Sequence, residues 1–398
     1  MRVCCVAYTN YETDYRVRRY AETLAAEGHE VDVVALRSPD LPRDGALNGV
    51  RVTRIHSRRF NEKRPLDFLT GIMALFIKGS VLILWRHLRK PYKLLHIHNV
   101  PDFLVFMALP ERLLGARVVL DIHDILPEFY AQKFGVSPQS PVIRMLRVVE
   151  FCSVRFASHV IVANDLWRQK IMQRCGVAPD RCSALLNYPK VKFFSGLDYS
   201  IRPNRLNLIY PGHLSHHHGV DIAVRAMAGV RDAVPQARLY IHPSSWEATF
   251  RTSLEALIDE LALRETVVLR PAVRVDELAS IYRDIDIGVV PKRGGVFASE
   301  AFSTKALDFM AAGIPIVASR TTIDEYYFDD SQIAFFTPEN HGEMADRILQ
   351  LYNDPERRRS LSEAGKAFVA LNNWDSMQQE YVSLAQSLTT RDRLWRSA

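Results

Sequence analysis

Cysteine is scarce in this sequence, and its spacing excludes two common uses of the residue. The 398 residues contain five cysteines, an odd number, and no C-x-x-C pair. Disulfide frameworks and structural zinc sites both depend on paired or closely spaced cysteines, so we predict neither. The cysteines instead indicate a reducing compartment, and we predict a cytoplasmic protein.

A signal peptide, a low-complexity tract and a repeat of fixed period are also missing. The amino terminus becomes polar at Thr9, too soon for the apolar core of a signal peptide. Hydrophobic residues make up 48% of the chain and charged residues 24%, which is typical of a folded soluble protein. Because single cores stop growing near about 250–300 residues, we expect two α/β domains.

The chain carries only a small excess of positive charge, a formal +6. Such an excess favours ligands that carry phosphate groups, or an anionic membrane surface. A solvated basic exterior explains it equally well. We predict no binding to nucleic acid.

Short β-branched runs alternate with helix-period stretches through the first half, which predicts a parallel sheet with crossover helices. The stretch Asp14–Glu27 has helical periodicity and ends at Gly28, which completes one βαβ unit. The predicted strands are Val3–Tyr8, Val31–Leu36, Val50–Ile55, Leu94–His98, Val118–Ile122 and His159–Ala163.

The alternation breaks at Ala184–Leu208, where we place the linker between domains. It then restarts, which predicts a second doubly wound domain. A last helix, Trp374–Leu388, has no strand after it, and either caps the second domain or returns to the first. The predicted domains are therefore 1–190 and 191–372, followed by a helix and tail over 373–398. The strands of the second domain are Leu206–Tyr210, Ala237–Ile241, Val267–Leu269, Ile285–Val290, Ile314–Ala318 and Ile333–Phe336.

One apolar segment, Leu66–Trp85, has about the length of a membrane span and carries only Asp67 and Lys78 as charges. Lys78 near its middle disfavours a span, so we predict a buried or surface-docked helix. If the helix docks on a membrane, the basic residues that follow Trp85 lie among anionic headgroups. The alternative is that they solvate a helix end.

The loop after Leu206–Tyr210 is the first candidate site, because open parallel sheets bind ligands beyond the carboxyl ends of their strands. Its two glycines permit close backbone approach, and the helix that begins at the second one directs N–H groups at an anion. The loop therefore predicts a diphosphate site. Its histidines lack a neighbouring carboxylate or thiol, so we predict contacts to phosphate or solvent and no metal. The candidate residues are Gly212, His213, His217, His218 and Gly219.

A second anion site is predicted where a helix begins after Glu300. Its first turn holds Ser303, Thr304 and Lys305, which combine backbone amides with one ammonium. We predict that Lys305 neutralises a leaving diphosphate. Asp308 lies one turn further on the same face and can accept hydrogen bonds from a ribose, although an ordinary surface Lys–Asp pair has the same spacing.

This second segment resembles the donor-binding motif of retaining GT-B glycosyltransferases of family four. In that motif seven positions separate two acidic residues, and the helix ends in Met-Ala-x-Gly-x-Pro-Val-Val. Glu300 and Asp308 have this spacing, and Met310–Val317 matches the ending apart from Ile316. The resemblance extends over nearly the whole chain, through Gly28–Val31, His96–His98, Asp121–Asp124, Pro338 and Trp374.

The resemblance implies two facing Rossmann-like domains and the transfer of a sugar, with retention, from a nucleotide-diphosphate sugar, UDP- or GDP-linked, with no cofactor required. Asp308 then binds the ribose, where the family usually has Glu, and Glu300 contacts hydroxyls of the transferred sugar. The base lies near Val273 and is read by backbone groups. Relatives usually carry Arg and Lys in the first glycine loop, so the histidines here make Lys305 more important.

Polar side chains also follow two strands of the first domain. His123 and Asp124 follow Val118–Ile122, and His98 ends the strand before it. In the similar enzymes a histidine at this place approaches the reacting sugar, so His123 is predicted to be catalytic together with Lys305 and Glu300. On its own, a histidine at a strand end is more often structural.

The acceptor is predicted to contact the same edge of the first domain, through His98, Asp124 and Glu128. The first βα loop lacks the glycine pair of the relatives and carries Tyr11 and Asp14 instead. We predict an aromatic platform for the acceptor there, with an ordinary packed loop as the alternative.

The predicted acceptor is a glycan or a lipid-linked saccharide, as in polysaccharide or glycolipid assembly. The apolar segment and its basic flank place such a reaction at the inner face of the plasma membrane, by peripheral contact. Two alternatives stay open. One is a sugar-nucleotide epimerase or hydrolase on the same architecture, and the other is a noncatalytic sugar-nucleotide-binding protein, suggested by the missing basic residues of the first loop.

Overall fold

The chain divides into two units, each built round its own β-sheet. The computed structural model describes residues 1–57, 65–197, 199–202, 204–273 and 275–390, without the side chains of residues 65–69, 275 and 276. The first unit contains Met1–Asn187 and the C-terminal segment from Met377, and the second contains Tyr188–Ser376. The last part of the predicted tail, 391–398, lies outside the described residues.

The sheet of the first unit has eight strands. They are β1 (Arg2–Val6), β2 (Glu30–Leu36), β3 (Asp44–Leu47), β4 (Val50–His56), β5 (Leu94–His98), β6 (Arg117–Ile122), β7 (His159–Val162) and β8 (Cys182–Ala184). Their order is β3-β4-β2-β1-β5-β6-β7-β8. Every neighbouring pair is parallel except β3 and β4, so the predicted parallel sheet is confirmed.

The helices of this unit cover the sheet. Their bounds are α1 (Tyr15–Ala26), α2 (Pro65–Arg89), α3 (Leu109–Leu113), α4 (Leu126–Phe134), α5 (Pro141–Phe156) and α6 (Asp165–Cys175). Helix α1 begins where the Asp14 carboxylate accepts hydrogen bonds from the amides of Arg16 and Val17, each at 3.1 Å. The central strands β1 and β5 are almost wholly buried, which explains their continuous apolar character.

Two strands of this sheet were not predicted. β3 forms an antiparallel hairpin with β4, in which Leu47 pairs with Val50 across the turn Asn48-Gly49. Both turn residues have positive φ, 50° and 80°, as a tight two-residue hairpin turn requires. The second is β8, whose last residue, Ala184, is the first residue of the stretch that we assigned to the linker. Both are only three or four residues long, too short to give a clear hydrophobic alternation.

The second unit repeats the doubly wound pattern with six strands. They are β9 (Asn207–Leu214), β10 (Arg238–Trp246), β11 (Val267–Leu269), β12 (Ile287–Val290), β13 (Ile316–Ser319) and β14 (Ala334–Phe336). They pair in parallel in the order β11-β10-β9-β12-β13-β14. The predicted strand sequence of this domain is therefore confirmed.

The helices of the second unit follow its strands in turn. They are α7 (Val220–Ala233), α8 (Ala248–Glu260), α9 (Val275–Tyr282), α10 (Val296–Glu300), α11 (Thr304–Ala312), α12 (Thr322–Tyr327), α13 (His341–Asn353) and α14 (Pro355–Leu371). The last helix, α15 (Trp374–Thr390), begins in this unit, and from Met377 onward it belongs to the first. Of the two predicted alternatives, the helix thus returns to the first unit.

The apolar segment predicted at Leu66–Trp85 lies within α2. Within the described residues, the stretch Thr70–Arg89 of this helix is long and apolar enough to cross a membrane, judged by length and composition alone. One face is buried through Ile72, Leu75 and Ile83. Gly79 lies so close to Met107 that a β-carbon there would overlap the methionine side chain. The helix is therefore packed onto its own domain.

Candidate functional site

The first glycine loop of the second unit lies at the carboxyl end of β9. It contains a short 3-10 turn, His216–His218, and Gly219, which has a φ of 67° and precedes the first residue of α7. A β-carbon on Gly219 would overlap the carbonyl oxygen of Pro291, the residue after β12. Only glycine fits there, and this close approach fixes the loop against the neighbouring strand.

Lys305 lies directly over this loop. A β-carbon on Gly212 would be 2.6 Å from Cε of Lys305 and 3.2 Å from its Nζ. The same ammonium is 5.1 Å from the centre of the Tyr210 ring. The structure therefore brings together the two segments that the sequence predicted to bind anions, although they are about ninety residues apart in the chain.

The environment of Lys305 is electropositive. Burial and the charge of Lys292 lower the pKa of Lys305 to about 8. Lys292 itself is buried, with its Nζ 2.7 Å from Oδ2 of Asp324, and it donates a hydrogen bond to the Ala301 carbonyl at 3.0 Å. The charge of Lys292 is thus largely offset, whereas that of Lys305 faces the backbone of Gly212.

The histidines of the loop are held by hydroxyl groups. Oγ of Ser215 lies 3.1 Å from Nδ1 of His217 and 2.8 Å from Nδ1 of His218, and His213 pairs with Ser245 at 2.6 Å. Burial, with the charge of Lys305 next in importance, lowers the pKa of His218, so its imidazole is neutral. In this loop, therefore, His218 supplies no positive charge.

The start of α11 is open to a ligand. Ser303 is buried at the N-cap position, makes no side-chain cap, and its Oγ has no hydrogen-bond partner among the described residues. Thr304 and Lys305 form the first turn, and both are half-buried. An uncapped helix start beside a buried hydroxyl is suited to an anion.

The two acidic residues of the motif lie on either side of this helix start. Glu300 is the last residue of α10, and Asp308 lies in the second turn of α11; both are half-buried. Together with burial, Asp308 raises the pKa of Tyr282, and its charge partly opposes the lowering of the Lys305 pKa. Val273, predicted near the base, is half-buried after β11, and a ring nitrogen of His242 lies 3.2 Å from the nearby Pro271 carbonyl.

In the first unit, His98 and His123 converge on Asp121. Oδ2 of Asp121 is 3.0 Å from Nδ1 of His98 and 3.1 Å from Nε2 of His123, and the two ring nitrogens are 3.0 Å apart. Asp121 and His98 are buried, whereas the His123 side chain is 21% exposed. His123 is therefore the member of this group that a ligand can reach.

The sequence analysis did not include Asp121 or Arg16 among the site residues. The Arg16 guanidinium donates to both carboxylate oxygens of Asp121, at 2.7 and 3.0 Å. Although burial opposes it, this guanidinium is the main reason that the pKa of Asp121 lies well below its usual range. A carboxylate inside an otherwise apolar strand is the sequence signal that could have identified the pair.

Two groups of three side chains in the described residues have the spacing of metal ligands: His98, Asp121 and His123, and Cys5, His96 and His98. In the first group the carboxylate already accepts both guanidinium hydrogen bonds. Burial and the positive charge of Arg16 would both oppose a cation there. We therefore assign no metal to the group.

A backbone contact also positions His123. Its amide donates to Oδ1 of Asn99 at 2.7 Å, and the Asn99 side-chain amide donates to Asp102 at 2.7 Å and to the Asp124 carbonyl at 2.9 Å. Burial raises the pKa of the half-buried Asp124 carboxyl. The predicted residues His98, His123 and Asp124 thus share one edge of the sheet.

The other residues that were predicted to bind the sugar acceptor make contacts within the protein instead. Tyr11 is fully buried, so it presents no aromatic platform, and the packed-loop alternative describes its side chain correctly. Asp14 caps α1, and Glu128 accepts a hydrogen bond from Arg174 at 2.7 Å. The predicted aromatic platform is wrong because the side chain of a loop tyrosine next to a buried strand can point into the core.

Comparisons with known proteins agree with this architecture. Residues 13–187 match the family model for a glycosyl transferase 4-like domain, and residues 198–368 match that for glycosyl transferases group 1. Among relatives, the D-inositol 3-phosphate glycosyltransferase of Thermomonospora curvata is 25% identical over 89% of this chain and 86% of its own length.

Two solved structures illustrate the shared fold. Sucrose-phosphate synthase of Thermosynechococcus elongatus superposes with a TM-score of 0.76 at 19% identity, over 100% of both chains. The Anabaena protein HepE, solved with UDP and glucose, has a TM-score of 0.71 at 16% identity, over 98% of this chain and 100% of its own. The predicted fold is confirmed: the chain belongs to the GT-B glycosyltransferases, with a glycosyl transferase 4-like domain followed by a glycosyl transferases group 1 domain.

Proposed function

We propose that this glycosyltransferase moves a sugar from a nucleotide-diphosphate sugar, UDP- or GDP-linked, to an acceptor hydroxyl with retention of configuration. The observation that carries the proposal is the position of the Lys305 ammonium over the backbone of Gly212. A diphosphate bound beside Lys305 and Gly212 would meet one positive charge, the helix start at Gly219 and the uncapped start of α11. These groups would stabilise charge on the leaving group.

The rest of the donor is assigned to the same edge of the sheet. Asp308 binds the ribose hydroxyls, and Glu300 contacts hydroxyls of the transferred sugar. The base lies along the segment that contains Val273 and is held by backbone groups. Ser303 and Thr304 supply hydrogen bonds to the phosphates, which gives the buried hydroxyl of Ser303 a partner.

The reaction needs no metal in this proposal, because fixed positive groups serve the diphosphate. The bond between the anomeric carbon and the diphosphate breaks, its electron pair leaves with the phosphate, and an oxocarbenium-like sugar forms. The acceptor hydroxyl attacks the anomeric carbon from the same face, and its proton passes to the departing diphosphate oxygen. His123 donates a hydrogen bond to the sugar or orients the acceptor, and no carboxylate acts as a nucleophile.

The proposed acceptor is a glycan or a lipid-linked saccharide, bound near His98, Asp124 and Glu128 and used at the cytoplasmic face of a membrane. The apolar exposed face of α2 supports the lipid-linked form. A noncatalytic sugar-nucleotide-binding protein is the second candidate, because the neutral His218 leaves the loop poorer in charge than in typical relatives.

A thermal-shift screen across UDP-, GDP- and ADP-sugars tests the donor, since a ligand that binds the folded state raises its apparent stability. The sugar nucleotide that binds is then incubated with a panel of saccharide and lipid-linked acceptors, and the anomeric configuration of the product is read by NMR. Retained transfer supports the proposal. Epimerised or hydrolysed donor without transfer, or binding without turnover across the panel, would replace it with one of the alternatives.

A further inference from the structure

Between Met73 and Leu88, the outward face of α2 carries a row of exposed apolar side chains. Its exposed side chains recur every three or four residues, which places them on one side of the helix. Ile77, Val81 and Leu88 are 59, 65 and 68% exposed, well beyond what a core-facing helix shows. The face, from here on the α2 face, consists of Met73, Ile77, Val81, Trp85 and Leu88.

We propose that the α2 face docks on an anionic lipid bilayer, with the helix lying in the plane of the membrane surface. From Met73 to Leu88 the face extends about 22 Å at the rise of an α-helix. This length is greater than one lipid headgroup and suits an extended surface. Single exposed apolar residues are ordinary, but an aligned row of five indicates a partner.

The contacts on the opposite side of α2 are incompatible with a transmembrane position of the helix in this fold. Arg86 donates to the Thr53 hydroxyl at 2.8 Å, and the buried His87 ring accepts from the Tyr92 amide at 3.2 Å. Ile72, Leu75 and Ile83 are buried in the same unit, as described above. A spanning helix would have to give up all of these contacts, whereas a docked helix keeps them.

Charge identifies the kind of membrane. A groove of about 830 Å³ runs beside the helix. Its α2 side is apolar apart from Lys78, and the other side contains three arginines. Arg37 and Lys78 are exposed at this groove and Arg89 at the helix end, and none has a carboxylate partner within the described part of the chain. Lipid phosphates would supply the missing negative charge. Residues that line the groove include Arg37, Arg43, Lys78, Ile77, Val81 and Trp85.

Other nearby charges are already balanced and do not change the sign of this surface. Arg54 pairs with Glu12, Arg43 lies 4.0 Å from Asp44, and Lys90 pairs with Glu30. The Arg89 guanidinium lies 3.5 Å from the centre of the Trp85 ring, which holds a cation beside an indole. Indole and guanidinium together match the boundary between acyl chains and headgroups.

Vesicle flotation tests the proposal with the full-length protein and without any donor, so its result is independent of the proposed reaction. The wild type should float with mixed phosphatidylcholine–phosphatidylglycerol vesicles and much less with phosphatidylcholine alone. Val81→Gln combined with Trp85→Gln should abolish flotation. Leu371→Gln, at a residue 76% exposed on the second unit, is the control and should float like the wild type.

The electrostatic part is tested separately. Lys78→Ala should weaken binding to the mixed vesicles about fivefold, the effect of one basic residue at an anionic surface. Lys192→Ala, which removes an exposed lysine of the second unit, should leave it unchanged. Unaltered melting temperatures would show that the variants are folded.

Three results would overturn the proposal. One is full flotation of the Val81→Gln, Trp85→Gln variant, and another is equal binding to neutral and anionic vesicles. The third is a wild-type dimer, seen by light scattering, that the double substitution converts to a monomer while neither protein floats. In that case the α2 face joins two copies of the chain instead.

Discussion

Arg16 and Asp121 form a buried ion pair in which two guanidinium nitrogens reach both carboxylate oxygens, at 2.7 and 3.0 Å. Arg16 also donates to the Leu185 carbonyl at 3.0 Å, so the pair joins α1 to β6 and to the residue after β8. The ionised Asp121 carboxylate also lies within hydrogen-bond distance of ring nitrogens of His98 and His123. The pair thus stabilises the unit and positions the exposed histidine.

Removal of the arginine should therefore destabilise the first unit. Arg16→Met leaves the Asp121 carboxylate buried without its main counter-charge, and such changes cost about 3–5 kcal/mol. The free energy of unfolding, measured by urea denaturation, should fall by that amount. Arg18→Met, which breaks a more exposed pair with Glu22, should cost no more than about 0.5 kcal/mol. Equal losses in the two variants would contradict the importance of burial.

The His123 side chain should matter for the reaction and little for donor binding. His123→Ala removes a group that we place beside the reacting sugar, and we expect kcat to fall about 100-fold, typical of a lost transition-state hydrogen bond. The Kd for UDP, measured by calorimetry, should change less than twofold. His341→Ala, at an exposed histidine of the second unit, should behave like the wild type. A normal kcat in His123→Ala would assign the histidine a structural role.

The sequence predicted the sheet architecture well, because it depends on local patterns, and it selected the two segments that meet at Lys305 and Gly212. Hydrophobic patterns identified all six strands of the second unit. The first turn of a predicted helix selected Lys305, and motif spacing selected Glu300 and Asp308. The contact between Lys305 and Gly212 could not be derived from local patterns, since nothing in either segment specifies the distance between them. The resemblance to a family, rather than periodicity, is what joined them.

Other features could not be read from the sequence because they depend on tertiary packing. Arg16 and Asp121 are 105 positions apart, and no local pattern pairs them. Tyr11 resembles a surface aromatic until the neighbouring elements bury it. The predicted apolar segment was located correctly, but hydropathy does not distinguish the buried face of α2 from the exposed one.

Donor binding should depend on pH through Lys305. Its pKa of about 8 in the unliganded protein means that the ammonium is mostly charged at pH 7 and loses its proton as pH rises through 8. A bound diphosphate favours the charged form and raises this pKa. Affinity for UDP should therefore be constant below pH 8 and fall above it, by up to tenfold per pH unit. Calorimetric titrations between about pH 7 and about pH 9 measure the slope.

A substitution separates this effect from other titrations. Lys305→Met should weaken UDP binding about tenfold to a hundredfold at pH 7, the range for one hydrogen bond to a charged group, and remove the loss above pH 8. Lys192→Met, at an exposed lysine of the same unit, should keep the wild-type profile. If Lys305→Met retained the pH dependence, another group would have to carry it.

Gly219 should be the least replaceable glycine of the first glycine loop of the second unit. Its φ of 67° already disfavours a side chain, and a β-carbon would overlap the rigid carbonyl of Pro291, so alanine requires a backbone shift. We expect Gly219→Ala to lower the free energy of unfolding by about 3 kcal/mol and to weaken UDP binding. Gly28→Ala is the matched control, because Gly28 has a φ of 76° and open space round it, and it should cost only about 1 kcal/mol. Similar costs at the two positions would mean that the loop does not lie against β12 as tightly as the structure places it.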